Sequence, residues 1–433
     1  MERLQIAVAG CGPAGLAAAL LLARDGHEVR LFDQFEAPKP LGSGLMIQPT
    51  GQAVLRALGL EADLRAAGAR VERLFGLAMP SGRKVLNVRY DWLPGGHFGI
   101  GLHRASLFDI LFRAVGAAGI PIETGRAVTG SEEASNGRKL VFADGQSARF
   151  DLVVDALGTE SALAPSCGRA LAYGALWASL DWPEGGGFDG AALEQRYVRA
   201  SRMAGVLPIG TRPEKARPQT AFFWSLRADG LEAWRGAGLE AWKDEVRALW
   251  PATAPFLDQI SDPDQLTFAR YAHRTLPAPA EPALIHIGDA WHSASPQLGQ
   301  GANMALLDAF ALARALREEG NVPRALARAV RLRRGHVRLF QALSWMFTPV
   351  YQSDSRFLPF LRDRIVGPLS HLWPATAIQA AMVTGLMGEP LGRLELSVTL
   401  DRMDNVDRFH IDRSDPANAP NLTSQGIVVP PDE

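Results

Sequence analysis

Gly10, Gly12 and Gly15 stand in a G-x-G-x-x-G run, with Pro13 and Ala14 between the second and third glycines. Glycines at this spacing permit a tight turn, let backbone N–H groups approach a pyrophosphate, and aim the positive end of the following helix at it. Asp33 lies eighteen residues after Gly15, where an acid closing a strand can accept hydrogen bonds from a ribose. The chemistry is the grip of a dinucleotide, and these residues alone do not separate FAD from NAD. A second glycine-bearing segment reads Gly288-Asp289-Ala290-Trp291-His292-Ser293-Ala294-Ser295-Pro296-Gln297-Leu298-Gly299-Gln300-Gly301-Ala302-Asn303.

Such residues need a framework that brings them to one edge. Residues 4–9 read as a buried parallel strand, 13–24 as a helix and 27–33 as a second strand, which makes one βαβ unit. Thr50 is placed to cap a helix carrying Val54, Leu55 and Leu58. Leu107, Ile110, Leu111, Ala114 and Val115 form the apolar stripe of a helix beginning near Arg104. Asn136-Gly137 and Asp144-Gly145 suit hairpin turns, and residues 150–156 read as another buried strand. Between 173 and 274, alternating apolar segments at 176–180, 195–198, 221–226 and 266–271 predict an antiparallel sheet, with one long helix over 231–250. The buried-strand pattern returns at 284–287, and a long helix follows Gly301. An Arg-rich helix begins near Pro323, and a Trp/Phe/Met-rich helical tail runs to about Leu396.

Length and composition bound the rest. A chain of 433 residues, 47% apolar and 21% charged, has room for two or three packed units of a globular enzyme. A net charge of −1 supplies no global field toward nucleic acid or toward an acidic membrane surface. Cys11 and Cys167 are too few for a disulfide framework and read as reduced thiols of a cytoplasmic protein. Val8-Ala9-Gly10-Cys11 looks like a lipoprotein cleavage box, but one flanking Arg3 and the breakers Gly12, Pro13 and Gly15 argue against a signal helix. Apolar runs are too short for a transmembrane segment.

Together, the first βαβ unit and the segment from Gly288 to Asn303 resemble the class A flavoprotein monooxygenases, the p-hydroxybenzoate-hydroxylase-like aromatic hydroxylases. The family pattern is G-D-A-x-H, a short spacer, P, then G-Q-G-x-N, and the match is nearly complete. The resemblance covers most of the chain and weakens in the middle sheet and the tail. It implies an α/β fold: a Rossmann-like FAD-binding domain over 1–172 and 275–322, an inserted antiparallel-sheet substrate domain over 173–274, and a helical C-terminal region over 323–433. It further implies FAD held by Gly10, Gly12, Pro13, Ala14, Gly15 and Asp33, with Asp289 on the ribityl chain. Gly299, Gly301, Ala302 and Asn303 would present N–H groups to the N1/C2 edge of the flavin, which becomes negative on reduction. Pro296 would lie beside the reactive face of the ring. Gly42-Ser43-Gly44-Leu45 and Gln48-Pro49 match a segment passing alongside the flavin, Arg104 matches a cofactor-contacting arginine, and Val128 matches a backbone contact on the adenine side. His292 reads as structural rather than as a catalytic base.

One departure bears on the reductant. Where the family has an acid and a terminal arginine that serve both pyrophosphate and NAD(P)H, this chain has Leu157 and Ala164. NAD(P)H as direct reductant is therefore in doubt, and an external flavin reductase supplying reduced flavin is the alternative. The implied activity is FAD-dependent hydroxylation of an aromatic or similarly activated carbon through a flavin C4a-hydroperoxide, using O₂ and a small hydrophobic or aromatic substrate. A flavin oxidase or dehydrogenase and a non-catalytic FAD-binding subunit remain the other readings. A halogenase is disfavoured because W-x-W-x-I-P is absent, and no metal site is expected. Trp177, Tyr197, Met203, Phe222, Trp224 and Tyr271 could wall a pocket for a planar substrate. Arg324, Arg328, Arg331, Arg333, Arg334 and Arg338 read as a solvated helix face. Trp345, Met346, Phe347, Phe357, Phe360 and Trp373 could pack on the core, form a homodimer contact or rest on a membrane, and packing is the expectation.

Overall fold

The computed structural model describes residues 2–37, 43–183, 185–212 and 215–397. Gly42 and the polar end of the chain lie outside the described residues. A six-stranded sheet has the spatial order Ala280–Glu281, Leu284–His286, Leu152–Asp155, Gln5–Ala9, Glu28–Phe32 and Ile122–Glu123, parallel except at the Ala280 edge. Its central strands are apolar on both faces, because helices Pro13–Arg24 and Gly301–Glu318 cover one face and the hairpin strands Val128–Ala134 and Gly137–Phe142 help cover the other.

Glycine is required where this sheet meets its first helix. A Cβ on Gly15 would sit 1.9 Å from the Gly10 carbonyl oxygen, and one on Gly10, whose φ is +102°, would sit 2.5 Å from the Ala156 carbonyl oxygen. Leu152–Asp155 therefore packs directly behind the turn that ends Gln5–Ala9.

A second sheet of seven strands has the order Thr267–Ala269, Tyr173–Asp181, Lys215–Arg227, Arg202–Arg212, Ala192–Val198, Arg73–Ala78 and Arg83–Arg89. It reaches beyond 173–274, since two strands come from 73–89, and Arg73–Ala78 pairs parallel with Ala192–Val198. One face is closed by helix Leu239–Leu249; the other faces a small sheet of Gly44–Ile47, Gly99–His103 and Ala69–Val71. That contact is close: a Cβ on Gly101 would lie 2.0 Å from the Pro208 carbonyl oxygen.

Three local expectations change. The helix expected over 231–250 is two helices, Leu231–Ala237 and Leu239–Leu249, because Gly238 takes a φ of +87° that no helix accommodates. Thr50 lies inside helix Pro49–Ala57, with Gln48 at its N-cap and Pro49 in its first turn. Arg333 is buried on helix Val322–Tyr351, unlike the other arginines of its run, and bonds Asp308 at 2.7 Å.

Candidate active site

Helices Pro13–Arg24 and Gly301–Glu318 both begin without a side-chain cap. Their first intrahelical bonds, Leu16 N–H to the Gly12 carbonyl and Met304 N–H to the Gln300 carbonyl, leave the N–H groups of Ala14, Gly15, Gly301, Ala302 and Asn303 without a partner among the described residues. The two starts are neighbours. A Cβ on Gly288 would stand 3.2 Å from the Ala14 Cβ and 3.1 Å from the Ala305 Cβ, so the residue before Asp289 is pressed between both helices. A Cβ on Gly301 would come within 4 Å only of an Asp289 carboxylate oxygen, at 3.9 Å, and one on Gly12 would meet nothing. Open space in front of neighbouring uncapped helix starts suits an anion such as a pyrophosphate.

The carboxylates around this space divide by partner. Asp33 accepts from the N–H groups of Cys11 at 2.6 Å and Phe35 at 3.3 Å, which fixes the end of Glu28–Phe32 against the glycine turn. Burial, reinforced by Asp33, pushes the Cys11 thiol pKa well up. Asp289 has its pKa raised by burial, while His292 and Arg104 pull it down. Arg104 is exposed at the start of helix Arg104–Ala117, its side chain unpaired among the described residues and its charge within reach of Asp289. His103 caps that helix by accepting from Ala105 N–H at 3.0 Å, and burial lowers its pKa to about 4. Asp155 is spent internally, accepting from Leu157 N–H and the Ser161 hydroxyl and contacting His286 Nδ1 at 2.6 Å. It does not stand in for the acid that Leu157 replaces.

Asn303 contributes differently from its glycine neighbours. Its Oδ1 accepts from Gln48 N–H at 2.8 Å, and its Nδ2 donates to the carbonyls of Met46 and Gly299 at 3.1 and 3.0 Å. The side chain is thus committed to tying two loops together, and only its backbone N–H faces the space. Gln48 is held in turn by the Tyr90 hydroxyl, which donates to its Oε1 at 2.6 Å. His292 contacts Asp308 at 2.6 Å inside a buried network with Arg333 and His336. Pro296 is exposed on the turn capped by Ser295, and Val128 is buried beneath the sheet with Phe32. A hollow of about 560 Å³ lined by Gln5, Glu28, Arg30, Phe32, Glu123 and Phe142 runs along the sheet face away from helix Pro13–Arg24, and its Arg30–Glu123 charges are paired.

The six pocket candidates fall on two faces of the seven-stranded sheet. Tyr197 and Met203 share a core with Met46, Tyr90 and Phe223 on the face toward Gly44–Ile47. Trp177 packs against that core, its ring centroid 4.5 Å from that of Phe223 and tilted by 31°, and donates to the Tyr271 hydroxyl at 2.9 Å. Phe222 and Trp224 point the other way, into the core under Trp242 and Val246, and cannot wall the same pocket. Phe223 and Tyr90 are the residues that sequence reading missed: Phe223 was hidden by apolar neighbours on both sides, and nothing in the sequence marked Tyr90.

Residues 3–326 match the family model described as FAD binding domain. The chain belongs to the class A flavoprotein monooxygenases. The match spans both glycine turns, and these monooxygenases are FAD-dependent oxidoreductases. The chain is similar to the aurachin C monooxygenase/isomerase of Stigmatella aurantiaca, at 26% identity over 85% of this chain and 94% of that one. It is 32% identical to the 6-methylpretetramide 4-monooxygenase of Streptomyces rimosus, over 71% of this chain and 73% of that one. Among solved structures, Klebsiella pneumoniae HpxO, complexed with FAD and uric acid, superposes with a TM-score of 0.74 at 19% identity, covering 89% of this chain and 98% of that one. The uncapped helix starts and the open space at Gly12 fit the FAD of this monooxygenase family. Among the described residues, no helix is long and apolar enough to cross a membrane.

Proposed function

We propose that this monooxygenase hydroxylates a planar aromatic or heteroaromatic substrate held between the flavin site and the Phe223 face of the seven-stranded sheet. The observation that carries the proposal is the abutment of two uncapped helix starts, with a Cβ position on Gly288 only 3.2 Å from Ala14. When bound and reduced, FAD supplies the electrons that activate O₂ for transfer of one oxygen atom to the ring. Ala14 and Gly15 would give N–H groups to the pyrophosphate, Asp33 its remaining lone pairs to the adenosine ribose, and Asp289 its carboxylate to the ribityl chain. The N–H groups of Gly301, Ala302 and Asn303 would steady the negative edge of the reduced ring. Gln48, aligned by Tyr90, and Met46 would close one side, and Pro296 would set the spacing at the reacting face. Tyr271, whose pKa burial pushes up to about 12, keeps its proton at neutral pH. Its hydroxyl accepts from Trp177 and has its own O–H available for a polar substituent on the substrate.

The electron donor belongs to the same reading. Leu157 packs in the apolar cluster beneath the six-stranded sheet, and Asp155 is fully engaged, which favours reduced flavin from a separate reductase over direct NAD(P)H. Free thiols at Cys11 and Cys167 favour the cytoplasm. One experiment separates these possibilities. Purified protein is mixed anaerobically with NADH, NADPH or a chemical reductant, then with O₂ and phenolic or heteroaromatic acids, and the products are weighed by mass spectrometry. Gain of one oxygen atom after chemical reduction alone supports hydroxylation fed by an external donor. Fast bleaching of the flavin by NAD(P)H removes the external donor, and the absence of any oxygenated product removes the hydroxylase.

A further inference from the structure

The C-terminal helices contradict the expectation that their aromatics pack. Phe347 packs against the core, but Trp345, Met346, Phe357, Phe360 and Trp373 are exposed. Among the described residues, every large apolar side chain that is strongly exposed lies between 345 and 378, with Trp345 at 71% and Trp373 at 84%. Soluble proteins scatter such residues singly, and clustering in one region marks a contact surface.

The charges beside the patch select its occupant. Only two carboxylates occur between 345 and 378, and both are engaged: Asp354 with the Tyr173 hydroxyl and Arg227, Asp363 with Arg362. Exposed Arg356 and Arg364 have no anionic partner among the described residues. Exposed Arg83 and Lys84, equally unpaired, share a surface depression with Arg364, His371 and Asp363, whose carboxylate is already engaged by Arg362. A second copy docked by a two-fold axis would bring these cations together with only the already paired Asp354 and Asp363 to meet them. A surface of anionic phospholipid offers both a negative plane for the cations and an apolar layer for the aromatics, and Trp favours that boundary. The helices after Tyr351 are short and broken, so they suit lying in the interface rather than crossing it.

We propose that residues 345–378 dock this protein on an anionic membrane surface, with Trp345, Phe357, Phe360 and Trp373 inserted and Lys84, Arg356 and Arg364 at the headgroups. The docking face connects to the catalytic half through helix Ala375–Thr384. Ile378 is exposed with the patch, while Ala380 and Val383 pack in the core that contains Met46 and Phe223. This proposal stands on exposure and charge, and does not depend on the substrate.

Flavin-loaded full-length protein is sedimented with phosphatidylcholine vesicles with and without phosphatidylglycerol. Binding is expected to the anionic vesicles and to weaken about fivefold for each of Lys84→Ala and Arg364→Ala at low salt. The pair Phe357→Glu and Trp373→Glu is expected to lower binding more than about tenfold while flavin content stays unchanged. Brominated lipid should also quench the tryptophan fluorescence of the unmodified protein, a readout that needs no variant. Failure to bind anionic vesicles, undiminished binding by the glutamate pair, or no quenching overturns the proposal. So does light scattering that shows a dimer which the glutamate pair splits into monomers, because the patch is then occupied by a second copy.

Discussion

The proposed cofactor end of this site and its proposed substrate end are made of different material. At the proposed flavin end, what faces the open space is mostly backbone: N–H groups at two helix starts, the first set by Gly10 and Gly15, whose neighbours leave no room for a Cβ. Against the seven-stranded sheet, the proposed substrate wall is side chain: Phe223, Trp177, Tyr271 and Met46, set by strand alternation and mutual packing. A backbone cradle tolerates almost no change of residue type at its turns, whereas a side-chain wall can be rebuilt without moving the fold. Chains sharing the cradle are therefore free to differ in what they oxidise.

The sharpest way to break that contrast is within the glycine turn itself. Gly15→Ala puts a methyl 1.9 Å from a carbonyl oxygen and is expected to abolish folding. Gly12→Ala, whose methyl meets no protein atom, should leave the fold intact and lose the flavin, read as absorbance per mole of folded protein. A folded Gly12→Ala protein that keeps full flavin content would mean that the pyrophosphate lies elsewhere.

The two faces of the large sheet give the next largest effect. Phe222→Ala removes a fully buried ring from the core under Trp242 and should cost about 3–5 kcal/mol in denaturant unfolding, with KM unmoved. Phe223→Leu should cost less than about 1.5 kcal/mol and instead change KM and the fraction of O₂ reduced without product. Reversed results would exchange the roles of the faces.

At Asp289 the two materials meet. Burial raises its pKa, so the ionised form costs stability that appears as pH rises from the ordinary carboxylate range through the raised value. Asp289→Asn should therefore raise the Tm of the FAD-free protein at neutral pH while weakening FAD retention. A lower Tm would show that the carboxylate serves the fold rather than the cofactor. The smallest expected effect is at His103, a neutral cap whose pKa is depressed to about 4. Its contribution is present above the ordinary histidine value of 6.5 and is lost as pH falls toward 4. His103→Asn, which caps without titrating, should flatten that part of the pH profile of unfolding free energy.

The same contrast decides what could be read from sequence. Glycine geometry is local, so the turn at Gly10–Gly15 and the segment from Gly288 to Asn303 announced both the α/β framework and the cofactor. Ala221 to Leu226 is apolar on both strand faces, so alternation could not say whether Phe222 or Phe223 turns inward to the site. Gly238 was visible within an otherwise helical pattern, but an isolated glycine costs a helix only about 1 kcal/mol, and its φ is a tertiary outcome. The exposed aromatics of 345–378 carry the composition of a core and differ from one in having nothing laid over them among the described residues.

The parallel pairing of Arg73–Ala78 with Ala192–Val198 has a consequence for synthesis and for engineering. At typical elongation speeds the earlier strand emerges roughly 6–24 s before the one it pairs with, and until then its edge needs shelter. It follows that the substrate half cannot be excised as one continuous cassette. A chimera that exchanges 173–274 with a relative while retaining the host's 73–89 would seam together strands that never evolved as neighbours, and exchanging both segments together is the cut that respects the sheet.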